Sequence, residues 1–121
     1  MQRKHVAGLF ALLAVAGAFV TGIVRADDAA PPEQQVAIYN YKFSPEVLTV
    51  PVGTKVTWTN KDDVPHSVVS SDKRFPQSGG LDTGDHYSYT FTDAGSYEYF
   101  CSLHPFMKGK IVVTGTKPAA P

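Results

Sequence analysis

The stretch Gly95-Ser96-Tyr97-Glu98-Tyr99-Phe100-Cys101-Ser102-Leu103-His104-Pro105-Phe106-Met107 runs from a strand-like segment straight into a loop dense in metal-ligating side chains. Tyr97, Tyr99 and Phe100 favour a strand, and Asp93-Ala94-Gly95 ahead of them has the chemistry of a turn. Cys101 follows directly, so sheet pairing anchors its backbone. His104 and Met107 then lie on a short loop, pinned by Pro105 and expected to close at Gly109 before a final strand. A ligand loop hung from a strand end implies a rigid β frame.

Upstream, short runs of β-branched and aromatic residues alternate with turn signals. The pattern predicts strands near Val36–Tyr41, Glu46–Val50, Lys55–Asn60, Ser67–Ser70, Tyr87–Thr92, Gly95–Phe100 and Lys110–Thr114. Pro51-Val52-Gly53-Thr54 reads as a turn, and residues 71–85, with Pro76 and Gly79-Gly80, as a loop. Lys55-Val56-Thr57-Trp58-Thr59 alternates polar and apolar, so Val56 and Trp58 face one core. Tyr87, Tyr89, Phe91, Tyr97, Tyr99 and Phe100 read as core and cross-strand pairs. Many short strands at this spacing predict an all-β, antiparallel Greek-key sandwich.

His66 stands thirty-five residues before Cys101 and follows Val64-Pro65, where proline keeps the chain extended. Taken singly, a cysteine is a common small core residue, a turn histidine is ordinary and a methionine is often core filler. Taken together, His66, Cys101, His104 and Met107 offer two imidazoles, one thiolate and one thioether. Soft sulfur with imidazole favours copper, and two His, one Cys and a weak axial Met form the blue-copper set. Ligands from separate strands of a rigid sandwich rearrange little between copper(I) and copper(II), which suits electron transfer. His86, at a loop-to-strand boundary, has no metal-spaced neighbour and reads as exposed.

Residues 1–26 read as a signal peptide, with an uncleaved membrane anchor as the lesser alternative because the apolar stretch nearly reaches Val24. Arg3, Lys4 and His5 precede an apolar run from Val6 to Val20, and Val24-Arg25-Ala26 is a small-residue cleavage site. Residues 27–35, polar with Pro31-Pro32, read as a flexible linker, 36–115 as the domain and 116–121 as a tail. The full chain has 11 basic and 11 acidic residues. Cleavage after Ala26 removes Arg3, Lys4 and Arg25 and no acid, leaving a net charge of −3. The absence of a basic run argues against a nucleic-acid partner, and the cleaved protein is expected to be free of the membrane and monomeric. Cys101 is the only cysteine. In an oxidising compartment a lone thiol needs a purpose, and metal ligation supplies one.

From Tyr41 to Val113 the chain resembles the cupredoxin (plastocyanin-like) family. Phe43-Ser44-Pro45, Val50-Pro51-Val52-Gly53, Trp58-Thr59-Asn60, Val64-Pro65-His66 and Ala94-Gly95-Ser96-Tyr97 carry the likeness. The spacing C-x2-H-x2-M is similar to the amicyanin branch. The resemblance implies one type 1 copper ion on His66, Cys101, His104 and Met107, and a periplasmic carrier of single electrons. It implies redox partners such as an amine dehydrogenase as donor and a c-type cytochrome as acceptor. Val64, Pro65, Leu103, Pro105 and Phe106 would surround the edge of His104 as an apolar contact patch, with Lys108 and Lys110 beyond. Ser67 stands where amicyanins usually have Asn, and Leu103 where they have Pro. The second change adds an N–H expected to point at the Cys101 sulfur.

A copper enzyme would need further histidines, and the cleaved chain has only His86 to spare. A copper storage or delivery protein is the alternative reading, but such sites usually cluster methionines or cysteines.

Overall fold

The computed structural model describes residues 32–115, together with Gly17. The expected signal peptide and tail, and the first part of the expected linker, lie outside the described residues. Eight strands build the domain: β1 (Glu33–Tyr39), β2 (Lys42–Ser44), β3 (Val47–Pro51), β4 (Thr54–Asn60), β5 (Val69–Ser70), β6 (His86–Phe91), β7 (Gly95–Phe100) and β8 (Lys108–Thr114). They form two four-stranded sheets, ordered β2-β1-β4-β6 and β3-β8-β7-β5. The all-β sandwich expected from the sequence is present.

The sheets are mixed rather than purely antiparallel. β1 pairs parallel with β4, and β3 pairs parallel with β8. The chain leaves the first sheet after β2, crosses to the second for β3, and returns for β4, which lands beside β1 in the same direction. The parallel pairing also draws Glu33, Gln34 and Gln35 into β1, opposite Lys55, Val56 and Thr57. The strand therefore starts ahead of Val36. The expected first strand, Val36–Tyr41, is strand only as far as Tyr39; Asn40 and Tyr41 turn the chain into β2, the second arm of a hairpin.

Alternation places the core. Along β4, Thr54, Val56, Trp58 and Asn60 are buried while the residues between them are half-exposed. Val36, Ile38 and Phe43 join them from the same sheet, and Tyr97, Tyr99, Ile111 and Val113 face them from the other. Trp58 is fully buried at the centre, its ring beside those of Phe75, Tyr87, Phe91 and Tyr99. Burying aromatic surface on this scale supplies much of the folding free energy, at about 25 cal/mol per Å² of apolar area.

Gly109 differs from its expected role. It lies inside β8, opposite Tyr99, and does not close the loop. A side-chain carbon there would come within 2.3 Å of the Tyr99 ring. Glycine is required because the Tyr99 phenol occupies that space.

Candidate metal centre

β4 ends at Asn60, whose buried side chain organises the loop that follows. Its Nδ2 donates to the carbonyls of Val64 (2.9 Å) and Leu81 (2.8 Å), and its Oδ1 accepts from the Asp62 N–H at 2.9 Å. These bonds draw residues 61–66 into a tight excursion. His66 is then fixed by a two-way backbone bridge with Leu81, at 3.0 and 2.7 Å. Its ring is completely buried.

The second group of side chains comes from the β7–β8 connection. Cys101 follows β7 and is buried. Its N–H donates to the Met107 carbonyl at 3.1 Å, and the Met107 N–H donates to the His104 carbonyl at 2.9 Å. The loop thus closes on itself just before β8. Met107 is buried and His104 half-buried.

Both histidines turn Nδ1 toward the thiol. Cys101 Sγ lies 3.7 Å from His66 Nδ1 and 3.8 Å from His104 Nδ1. The three ligand atoms lie within 4.8 Å of one another. His86 is exposed at the start of β6 and stands apart from them, as the sequence suggests.

Several contacts hold this cluster in place. The Ser67 N–H donates to Cys101 Sγ at 3.3 Å, and its hydroxyl lies 3.8 Å from the same sulfur. That hydroxyl also accepts from the Ser102 N–H and meets the Ser102 hydroxyl, both at 2.8 Å. Ser67 therefore braces the cysteine loop despite its short reach. The expected bond from the Leu103 N–H to the sulfur is not formed. The thiol's N–H donor comes from the first-histidine loop instead, and the Leu103 side chain is exposed.

Sequence reasoning did not find Asp62. Its Oδ2 lies 2.7 Å from His66 Nε2, and the carboxylate also accepts the N–H groups of Asn40 (2.6 Å) and Tyr41 (3.0 Å). Burial works against the charge on Asp62. The Tyr41 and Asn40 amides, with His66, outweigh it and hold the carboxyl below its ordinary value. A carboxylate accepting from Nε2 fixes the tautomer that leaves Nδ1 free to bind a metal. Tyr41 was also missed, although its ring stands over both histidines.

The profile of the cupredoxin-like domain matches residues 9–113. The chain belongs to the cupredoxin family. It is 35% identical to amicyanin-alpha of Methylorubrum extorquens over 121 aligned residues, covering 93% of this chain and 99% of the relative. Among solved structures it is similar to a purple cupredoxin from Nitrosopumilus maritimus, at TM-score 0.63 and 40% identity, covering 66% of this chain and 98% of that one. It also matches a copper-containing nitrite reductase from Thermus scotoductus at TM-score 0.66 and 36% identity, over 74% of this chain but 24% of the enzyme.

One copper ion is the cofactor of this cupredoxin domain, and the donor geometry accommodates it. Metal–nitrogen and metal–sulfur bonds of about 2.0 and about 2.3 Å, opened to a trigonal angle, separate nitrogen and sulfur by about 3.7 Å. The observed 3.7 and 3.8 Å agree. Thiolate and imidazole are also donors of the right softness.

Proposed function

We propose that His66, Cys101, His104 and Met107 hold a single type 1 copper and that the protein carries single electrons between redox partners in the periplasm. The observation that carries this reading is the convergence of both Nδ1 atoms on one buried cysteine sulfur. Bound there, the copper would supply a one-electron couple between copper(I) and copper(II). The protein's own contribution is constraint. β7 fixes Cys101, the bridge to Leu81 fixes His66, and the self-closed loop fixes the backbone of His104 and Met107. Side chains held this way have little freedom to follow a change in metal geometry, which keeps the reorganisation accompanying electron transfer small.

The exposed rim suits transient contact. Leu103 and Phe106 are 52% and 71% exposed beside half-buried His104, and Pro65 and Pro105 are exposed as well. Redox encounters use small interfaces, and an apolar rim near a ligand edge shortens the path to a partner. Lys110 lies 3.8 Å from Glu98 on the neighbouring strand, an exposed pair that offsets its charge only in part. We assign residues 1–26 to a signal peptide cleaved after Ala26, the residues between it and β1 to a linker, shorter than the expected 27–35 because Glu33, Gln34 and Gln35 belong to β1, and 116–121 to a tail. The working form is then an exported monomer without enzymatic activity. An amine dehydrogenase as donor and a c-type cytochrome as acceptor are the partners proposed from the amicyanin likeness.

The test is the visible spectrum of the copper-loaded protein. Intense sulfur-to-copper charge transfer is expected in the oxidised form, and Cys101→Ser should abolish it, since a hydroxyl is a harder and weaker donor. A band that survives the substitution refutes the site. Copper that binds but does not cycle reversibly between oxidation states points to storage or delivery instead.

A further inference from the structure

We propose that Tyr41 is a positioning residue for the copper-site histidines, above all His104, and that the fold accepts backbone strain to place it. Asn40 and Tyr41 form the two-residue turn between β1 and β2, with Tyr39 paired to Lys42. Their φ angles are +52° and +58°, both left-handed. Hairpin turns of this shape favour Asn at the first position and Gly at the second. Asn40 obeys that preference. Tyr41 violates it, because a bulky side chain is disfavoured at positive φ.

Strain of this kind persists where the surroundings over-determine it. Here two features hold the turn. The Asp62 carboxylate accepts both amides, and the Tyr41 ring stands nearly perpendicular to two imidazoles. Its centroid is 4.9 Å from that of His104 at 89°, and 5.6 Å from that of His66 at 88°. A glycine would satisfy the backbone and Asp62 equally well. What it would not supply is the ring.

The two histidines need that ring unequally. His66 has its Nε2 held by Asp62. Among the described residues, His104 has no hydrogen-bond partner for Nε2, and its Nδ1 faces Cys101. Its orientation therefore rests on ring packing against Tyr41, Phe106 and His66. Tyr41 lies at 4.9 Å, beside His66 at 5.0 Å and closer than Phe106 at 6.1 Å; at 41% exposed it is also better covered than Phe106, at 71%. Tyr41 does for His104 by packing what Asp62 does for His66 by hydrogen bonding, and Asp62 is tied to both.

This inference rests on the reading of His104 as a copper ligand, and the test separates the two. Tyr41→Gly and Tyr41→Phe are compared with wild type in three measurements. These are the denaturation midpoint without metal, the rate of copper(I) loss to a chelator, and the NMR signals of the His104 ring in the metal-free protein. Tyr41→Gly should be at least as stable as wild type, because the turn relaxes. It should lose copper(I) faster by about two- to tenfold, the worth of one aromatic contact, and its His104 ring signals should average. Tyr41→Phe should match wild type in all three. If Tyr41→Gly does not fold, Tyr41→Asn, which also tolerates positive φ, takes its place. An unchanged off-rate with unchanged ring signals overturns the proposal. So does a Tyr41→Phe variant that behaves like Tyr41→Gly. A wild type that takes up no copper defeats the copper reading alone, since the metal-free ring signals still report on the packing.

Discussion

Asp62 Oδ2 lies 2.7 Å from His66 Nε2, on the side of the ring opposite Cys101. A negative charge there makes the imidazole a better donor and favours the more highly charged metal state. Asp62→Asn removes the charge and places an amide group among the Asn40 and Tyr41 N–H donors. Copper affinity should fall by about 10- to 100-fold, as for other partners of metal-bound histidines. The reduction potential should rise, because copper(II) loses more than copper(I). Chelator competition and voltammetry measure both, and a potential equal to wild type would show the carboxylate to be electrostatically silent.

The serine pair gives a second prediction. Ser67→Ala removes the hydroxyl that bonds Ser102 and lies 3.8 Å from the sulfur, while keeping the N–H at 3.3 Å. Stability should drop by about 1 kcal/mol, the usual net worth of such a bond. The potential should fall modestly, since a weak donor to the thiolate is lost. Leu103→Pro should leave the potential nearly unchanged, because the Leu103 N–H is not bonded to the sulfur. A large fall with Leu103→Pro and none with Ser67→Ala would reverse the assignment of the donor.

Gly109 tests the inter-strand packing. A Cβ at this position would sit only 2.3 Å from the Tyr99 ring, and a rigid ring held in the core cannot absorb that overlap as a flexible side-chain end would. Gly109→Ala should cost about 1–3 kcal/mol, as overpacked cores do. The corresponding fall in Tm is about 4–8 °C per kcal/mol for a domain of this size. A calorimetric scan that shows no fall would mean that Tyr99 moves aside freely.

Local patterns made much of this domain legible. The alternation around Val56 and Trp58 marked β4, and the spacing of Cys101, His104 and Met107 marked the site. Pairing direction was not legible, since nothing local in β1 says that β4 will lie beside it in parallel. β2 escaped because Tyr41 reads as strand, whereas a glycine there would have announced the turn. Asp62 escaped for a related reason. Its distance from His66 depends on the loop drawn in by Asn60, and residue spacing alone does not reveal such a fold-back. The Leu103 expectation failed because a loop's N–H directions follow from its dihedral angles, which sequence spacing does not fix.

The last prediction concerns pH. The Tyr99 hydroxyl and the Trp58 indole nitrogen are buried, and neither makes a hydrogen bond of normal geometry. Burial pushes the Tyr99 phenol from its ordinary 10.0 up to about 12; the nearby Trp58 indole opposes the rise and the Glu46 charge adds to it. The fold thus favours the neutral phenol over the phenolate. Its contribution is fully present below pH 10, the value in the unfolded chain, and is lost as pH rises toward about 12. Through that window stability should decline by roughly 1 kcal/mol per pH unit from this group. Tyr87, also raised by burial, adds to the decline in both proteins. Tyr99→Phe should therefore flatten the curve without abolishing it. At neutral pH the same variant should be as stable as wild type or more so, because it deletes a buried hydroxyl that has no partner. Urea melts of both proteins from pH 7 to 12 measure the two effects. Equal slopes above pH 10 would mean that Tyr99 ionises without leaving the core or that water reaches it there.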